Sequence, residues 1–280
     1  MSANEPVSHL SEGELRALTA DLDAMHHDLT LPALKSSLSE WSDDIRAQAA
    51  AGRRDERAQR SRVDRRRFLA GAGGVAGAAL LAACSSSTST IKNSAATSPA
   101  SASGSAMADG TGQKLSGDLK VVAMAASLEN SGIATYMAGI KAATAGKLGA
   151  VPPAVVTFAE TAVAQHEDHQ KAWNAVLTAA GKQPVTAVDP VIQPTINTAF
   201  AKVTTVAGLA ELALMVENIA GQTYQNGLSV ITSAAGIKTA ASIQPVEFQH
   251  AAILSFVLGK YPVPAAFTGV SLARPPSDYS

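Results

Sequence analysis

Glu247-Phe248-Gln249-His250 is the stretch on which the reading of this chain turns. A Glu and a His three residues apart share one face of a helix, one above the other. Turned inward in a bundle, they offer a carboxylate and an imidazole to a single metal centre. Working outward, His166-Glu167-Asp168-His169 supplies a second pair at the same spacing. A single glutamate precedes each pair, in Leu128-Glu129-Asn130 and in Val216-Glu217-Asn218. The order is Glu, pair, Glu, pair, that of a four-helix bundle carrying two metals between carboxylates.

The surroundings strengthen this reading. All three histidines after residue 115 fall in the pairs. Glu129 and Glu217 lie among alanines, leucines, valines and isoleucines, where a carboxylate is rarely fully buried unless paired or bound to metal. Both begin the pattern Glu-Asn-x4-Thr-Tyr, ending in Tyr136 and Tyr224. Seven residues is about 20° short of two helical turns, so each tyrosine returns to the face of its own glutamate. Their expected role is to anchor the site's carboxylates or waters. The repeat also relates the first two helices to the last two.

From residue 116 to 260 the chain is rich in Ala, poor in charge, and apolar at helical spacing, which gives an all-α fold. Helices are expected from Asp118 to about 146, from Pro152-Pro153 to about 180, from 204 to 233 and from 237 to 259. Gly236 is expected to break the chain before the last, and Pro245 to kink it. The connection from 181 to 202 is long, with Asp189-Pro190 starting a short helix. Two short connections and one long central crossover follow. Residues 261–280, with four prolines, read as an extended tail. No nucleophile elbow, phosphate loop, Cys pair or basic patch competes in this region, and a formal net charge of -1 gives no reason to expect nucleic acid.

These residues resemble the ferritin-like di-iron carboxylate superfamily, in particular the exported ferritin-like domain proteins of bacteria that carry a twin-arginine signal. The resemblance implies a four-helix bundle with a long central crossover and a metal set of Glu129, His166, His169, Glu217, Glu247 and His250. It implies two metal ions, iron first, with manganese or zinc also open. The activity implied is metal oxidation or oxygen and peroxide chemistry of a di-iron oxidase or ferroxidase kind. The alternative is a non-catalytic envelope binding or assembly module whose site is degenerate, mononuclear or empty. A homodimer is open. One position departs from the family pattern: His166 stands where a Glu is expected. Glu167, Asp168 and Glu160 point elsewhere, since one residue turns a side chain about 100° around a helix. Three carboxylates leave two divalent metals under-neutralised, and three imidazoles soften the set toward zinc or copper.

The N-terminal region reads differently. Ten of the eleven arginines precede residue 68. Arg65, Arg66, Phe68 and Leu69 resemble a twin-arginine motif, followed by an apolar run to Ala83 that is short of the roughly 20 residues of a spanning helix. Leu81-Ala82-Ala83-Cys84 resembles a lipoprotein box, and Cys84 is the chain's single cysteine. The expected organisation is an N-terminal extension (1–62), a signal with lipobox (63–84), a flexible Ser/Thr/Ala/Gly tether (85–115), the bundle (116–260) and the tail (261–280). The implied partners are the twin-arginine translocase and, through the lipid, the extracytoplasmic face of the bacterial cell membrane. Residues 1–62 are expected to form a cytoplasmic helical hairpin that turns at Leu31-Pro32, with a capping box at Ser11 and Glu14. Its helices carry narrow apolar stripes, too little for a core. His26-His27 reads as a pair of surface residues, because adjacent histidines diverge on a helix.

Overall fold

The computed structural model describes residues 10–74, 113–263 and 267–274, with side chains to 63 in the first stretch. Every regular element among them is helical. Cys84 and most of the tether lie outside the described residues. Arg65, Arg66, Phe68 and Leu69 lie where the backbone alone is described. No helix among the described residues is long and apolar enough to cross a membrane. The chain divides into two compact units, Met1–Arg46 with Met107–Ser280, and Ala47–Ala106. Of the second, residues 47–74 are helical, and their side chains to 63 are almost all exposed.

The first unit holds the bundle. Its helices are α3 (Asp118–Thr144), α4 (Pro153–Ala179), α6 (Val206–Gly227) and α7 (Ala234–Val257), with the short α5 (Gln193–Phe200) in the crossover. α3 packs along α4, α6 along α7, and α3 against α6. Proline in the first turn of α4 costs nothing there, because its missing N–H would have no helical partner. Gly181 ends the same helix at φ 69°, a left-handed conformation natural to glycine. The crossover is tied down by polar side chains: Asn174 exchanges two hydrogen bonds with Val185, at 2.7 and 3.0 Å. Asn130 donates to the carbonyls of Val185 and Ala187.

Two local expectations fail. α6 stops at Gly227 instead of running to 233, and Gly236 lies in the first turn of α7 and does not break it. Ser233 starts that helix by accepting the Gly236 N–H at 3.2 Å. Gly236 is small for a packing reason: a Cβ there would lie 2.8 Å from both the Trp41 indole and Ile231. Pro245 sits inside α7 without ending it.

The expected N-terminal hairpin is also absent. Residues 12–74 are helical throughout: α1 (Glu12–Met25), a π turn (His26–Thr30) and α2 (Leu31–Gly74). The Ser11–Glu14 capping box forms as expected. At the π turn the Leu31 N–H reaches His26 O, five residues back. This wider turn immediately precedes Pro32, whose ring would crowd a regular helical turn, so the backbone widens and does not reverse. The narrow apolar stripes find their core on the bundle. Leu15 and Leu22 join Phe158, Ala162, Ile253 and Leu254 of α4 and α7. Leu34 and Trp41 join Trp173, Tyr224 and Ile243, with Trp41 edge-on to Trp173 at 6.3 Å. Lys238–Glu40 at 2.8 Å and Thr239–Ser37 at 2.8 Å flank this contact.

The described residues of the tail form no helix and are strapped to α6. Leu272 N–H donates to Gln222 and Arg274 N–H to Thr223. The Arg274 side chain is buried and paired with the buried Asp189, so the one late arginine ties the tail to the crossover.

Candidate metal centre

All six expected ligand residues converge in the middle of the bundle, and each is buried. They form two overlapping groups, Glu129, His166, His169 and Glu247, and His166, Glu217, Glu247 and His250. Within each group the ligand atoms lie within 4.8 Å of one another. His166 and Glu247 belong to both. His166 Nδ1 is 2.7 Å from Glu129 and 3.8 Å from Glu247, while its Nε2 is 3.3 Å from Glu217. His169 Nδ1 lies 3.0 Å from Glu247 and 3.6 Å from Glu129. His250 Nδ1 lies 3.4 Å from Glu217.

The tyrosines do anchor the glutamates, but crosswise. Tyr136 O–H donates to Glu217 and Tyr224 O–H to Glu129, so each repeat's tyrosine serves the other repeat's carboxylate. Rotation about a single helix put each tyrosine on its own glutamate's face. Only the packing of α3 against α6 shows that the opposite glutamate is within reach. Trp173 extends one arm, its indole N–H donating to the Tyr224 oxygen at 2.7 Å. Gln165, which the sequence reading passed over, is buried and lies 2.9 Å from His250 Nε2. A proton on Nε2, held by the Gln165 carbonyl, leaves the Nδ1 lone pair directed into the site.

His26 is the larger surprise. Far from being a surface residue, it is 1 % exposed, with its ring centroid 5.3 Å from that of His169 and its Nε2 3.5 Å from Asp168. Its neighbour His27 is exposed. The reasoning that adjacent histidines diverge was sound; what it lacked was the helix face that α4 and α7 cover.

The electrostatics divide the six groups. Burial opposes charge at Glu129, yet His169 and His166 outweigh it and hold the carboxyl down to about 2. Glu217 is likewise held well below the ordinary range, burial being overcome by His250 and His166. Burial pushes Glu247 up to about 8, against the pull of His166. His166 is raised well above its ordinary value, because Glu247 and Glu217 overcome burial. His169 is raised to about 9 by Glu129 and Glu247, again against burial. Burial keeps His250 on the neutral side. Without metal, the surroundings thus favour the charged forms of Glu129, Glu217, His166 and His169 and the neutral forms of Glu247 and His250.

Hydrogen bonding gives an independent indication of fit. Both His169 nitrogens, His250 Nδ1, Glu217 Oε2 and both Glu247 oxygens are buried without a hydrogen-bond partner among the described residues. Leaving one such atom unsatisfied costs roughly 1–3 kcal/mol. Six in one cluster, all nitrogen or carboxylate oxygen, form a donor set suited to a transition metal or zinc.

A ferritin-like domain family matches residues 117–260, just over half of the 280-residue chain and the span of the bundle. No curated protein and no solved structure matches the chain. Four helices with a long central crossover, a buried Glu/His cluster among them and this match over their whole length lead to one conclusion: the chain belongs to the ferritin-like domain family.

Proposed function

We propose that the bundle holds a di-metal centre, iron first and manganese or zinc as alternatives, that serves metal oxidation or oxygen and peroxide chemistry. The observation that carries this reading is the convergence of six buried Glu and His side chains into two groups that share His166 and Glu247. Bound metal would supply Lewis acidity and, if iron or manganese, one-electron redox capacity. The chain's own residues do the rest. Glu129 and His169 would hold one ion, Glu217 and His250 the other, and Glu247 would lie between them. Tyr136 and Tyr224 orient the terminal carboxylates. Beside Tyr136, a cavity of about 40 Å³ is lined by Phe158, Ala213, Leu254 and other apolar side chains. A small, largely apolar space suits a small apolar guest, which favours dioxygen over a larger substrate.

One observation favours the second reading, a non-catalytic envelope module. His166 lies 2.7 Å from Glu129 and 3.3 Å from Glu217, so imidazole and carboxylates can pair with one another in a metal-free polar core. Metal analysis of purified protein made in iron- and manganese-replete medium separates the two. The expected result is two metals per chain, lost when Glu247 and His250 are both changed to Ala. Metal-free protein under those conditions removes the first reading.

We further propose that the chain is exported by the twin-arginine route and anchored by lipid at Cys84. The motif residues and the lipobox support this, and so does a bundle that gathers its ligands from four helices, since it must fold before it can hold metal.

A further inference from the structure

We propose that His166 bridges the two metal ions through both nitrogens of its ring, in place of the carboxylate that the family pattern puts there. The inference rests on the di-metal reading above and concerns how one departure from the pattern is accommodated.

The geometry carries it. The two nitrogens of His166 face different ligands: Nδ1 faces Glu129 and Glu247, and Nε2 faces Glu217. His166 is one of the two residues common to both ligand groups, the other being Glu247. A residue shared between two metals has to present a donor atom to each. Glu247 does so with two oxygens, and an imidazole does so with two nitrogens on opposite sides of the ring. Binding through both displaces both ring protons to solvent and leaves an imidazolate carrying one negative charge. Three carboxylates and one imidazolate then neutralise two divalent ions. The replacement of Glu by His changes the shape of the bridge and leaves the charge of the loaded site balanced.

The bundle also makes room for a ring at this position. A Cβ on the buried Gly132 would lie 3.0 Å from Cε1 and Nε2 of His166 and 3.1 Å from Nδ1. That is closer than such contacts normally come, so the absence of a side chain at 132 seats the imidazole face. The repeat supplies a comparison within the chain. Gly132 follows Glu129 by three residues, and the residue three after Glu217 is Ala220. The half with His166 at the shared position has glycine, and the half with Glu247 has alanine.

The test is histidine nitrogen NMR on the full chain, labelled with ¹⁵N-histidine and loaded with zinc alone. The expected spectrum has both His166 nitrogens in the metal-bound range and no ring N–H on that residue, with two zinc ions per chain. His166→Phe, which keeps a ring but has no donor, should lose at least one zinc. His166→Glu should retain two. Gly132→Ala should weaken zinc binding by about tenfold or more, the usual scale for disturbing a ligand's support. Circular dichroism checks that each variant is folded, and the wild-type spectrum decides the matter if the phenylalanine variant is not. Zinc-loaded protein in which His166 keeps a ring N–H overturns the bridge and leaves the metal centre standing. A chain that takes up no zinc, iron or manganese overturns the metal reading and the bridge together.

Discussion

His26 illustrates how one buried side chain ties pH to stability. Burial, with the charge of His169 nearby, lowers its pKa from an ordinary 6.5 to about 4, against the pull of Asp168. The folded chain therefore keeps His26 neutral where the unfolded chain would protonate it. Stability is unaffected above about pH 6.5 and falls as the pH drops from there toward 4, because the unfolded state then binds a proton that the folded state refuses. A His26→Gln variant, which cannot take up that proton, should lose less stability than wild type between about pH 7 and pH 5. The expected difference is on the order of 1 kcal/mol in urea unfolding of metal-free protein. Equal pH dependence in the two proteins would show that His26 is not held neutral. At this scale the convergence of the six candidate residues was legible because spacing along a helix fixes which side chains share a face. Gln165 and His26 were not, since each acquires its role from a residue on another element, His250 in one case and His169 in the other.

At the scale of elements, the N-terminal helix is the clearest departure from expectation. Helical periodicity gave most of its apolar stripe: Leu15, Leu22, Leu34 and Trp41 are buried, Leu18, Leu38 and Ile45 half-buried, and Met25 alone of the spaced positions is exposed. A stripe does not say what it faces, and a proline within a helical pattern does not say whether the chain turns or widens. Here it widens, and the stripe lies on α4 and α7. Trp41→Ala should therefore destabilise the bundle itself, by about 3–5 kcal/mol, the usual cost of emptying a large buried site. Chemical denaturation followed through Trp173 reads it. If residues 10–46 were an independent appendage, the Trp173 transition would not move. The same contact explains Gly236: sequence logic took it for a breaker, whereas Trp41 and Ile231 leave no space for a Cβ.

At the scale of the whole molecule, residues 10–46 pack against the bundle, although the proposed processing site at Cys84 lies between the two in sequence. Cleavage there would leave them associated only through non-covalent contacts. On the proposed route the chain folds with both parts in one compartment, and the N-terminal helix separates from the bundle later. Changing Cys84 to Ser should move the protein from the membrane to the soluble fraction on cell fractionation, and replacing Arg65 and Arg66 by Lys should hold it in the cytoplasm. Membrane association that survives the Cys84 change would rule out a lipid anchor at that residue.

The all-helical class and the gathering of the six candidate residues were written in the one-dimensional pattern. Each depends on spacing along a single helix and on the order in which helices follow one another. Tertiary structure alone decided that each tyrosine reaches the opposite glutamate, that Gln165 holds His250, that His26 backs His169, and that Arg274 reaches Asp189. It also decided that the first helix belongs to the bundle. These are contacts between elements far apart in sequence, and helical periodicity has no information about which faces meet.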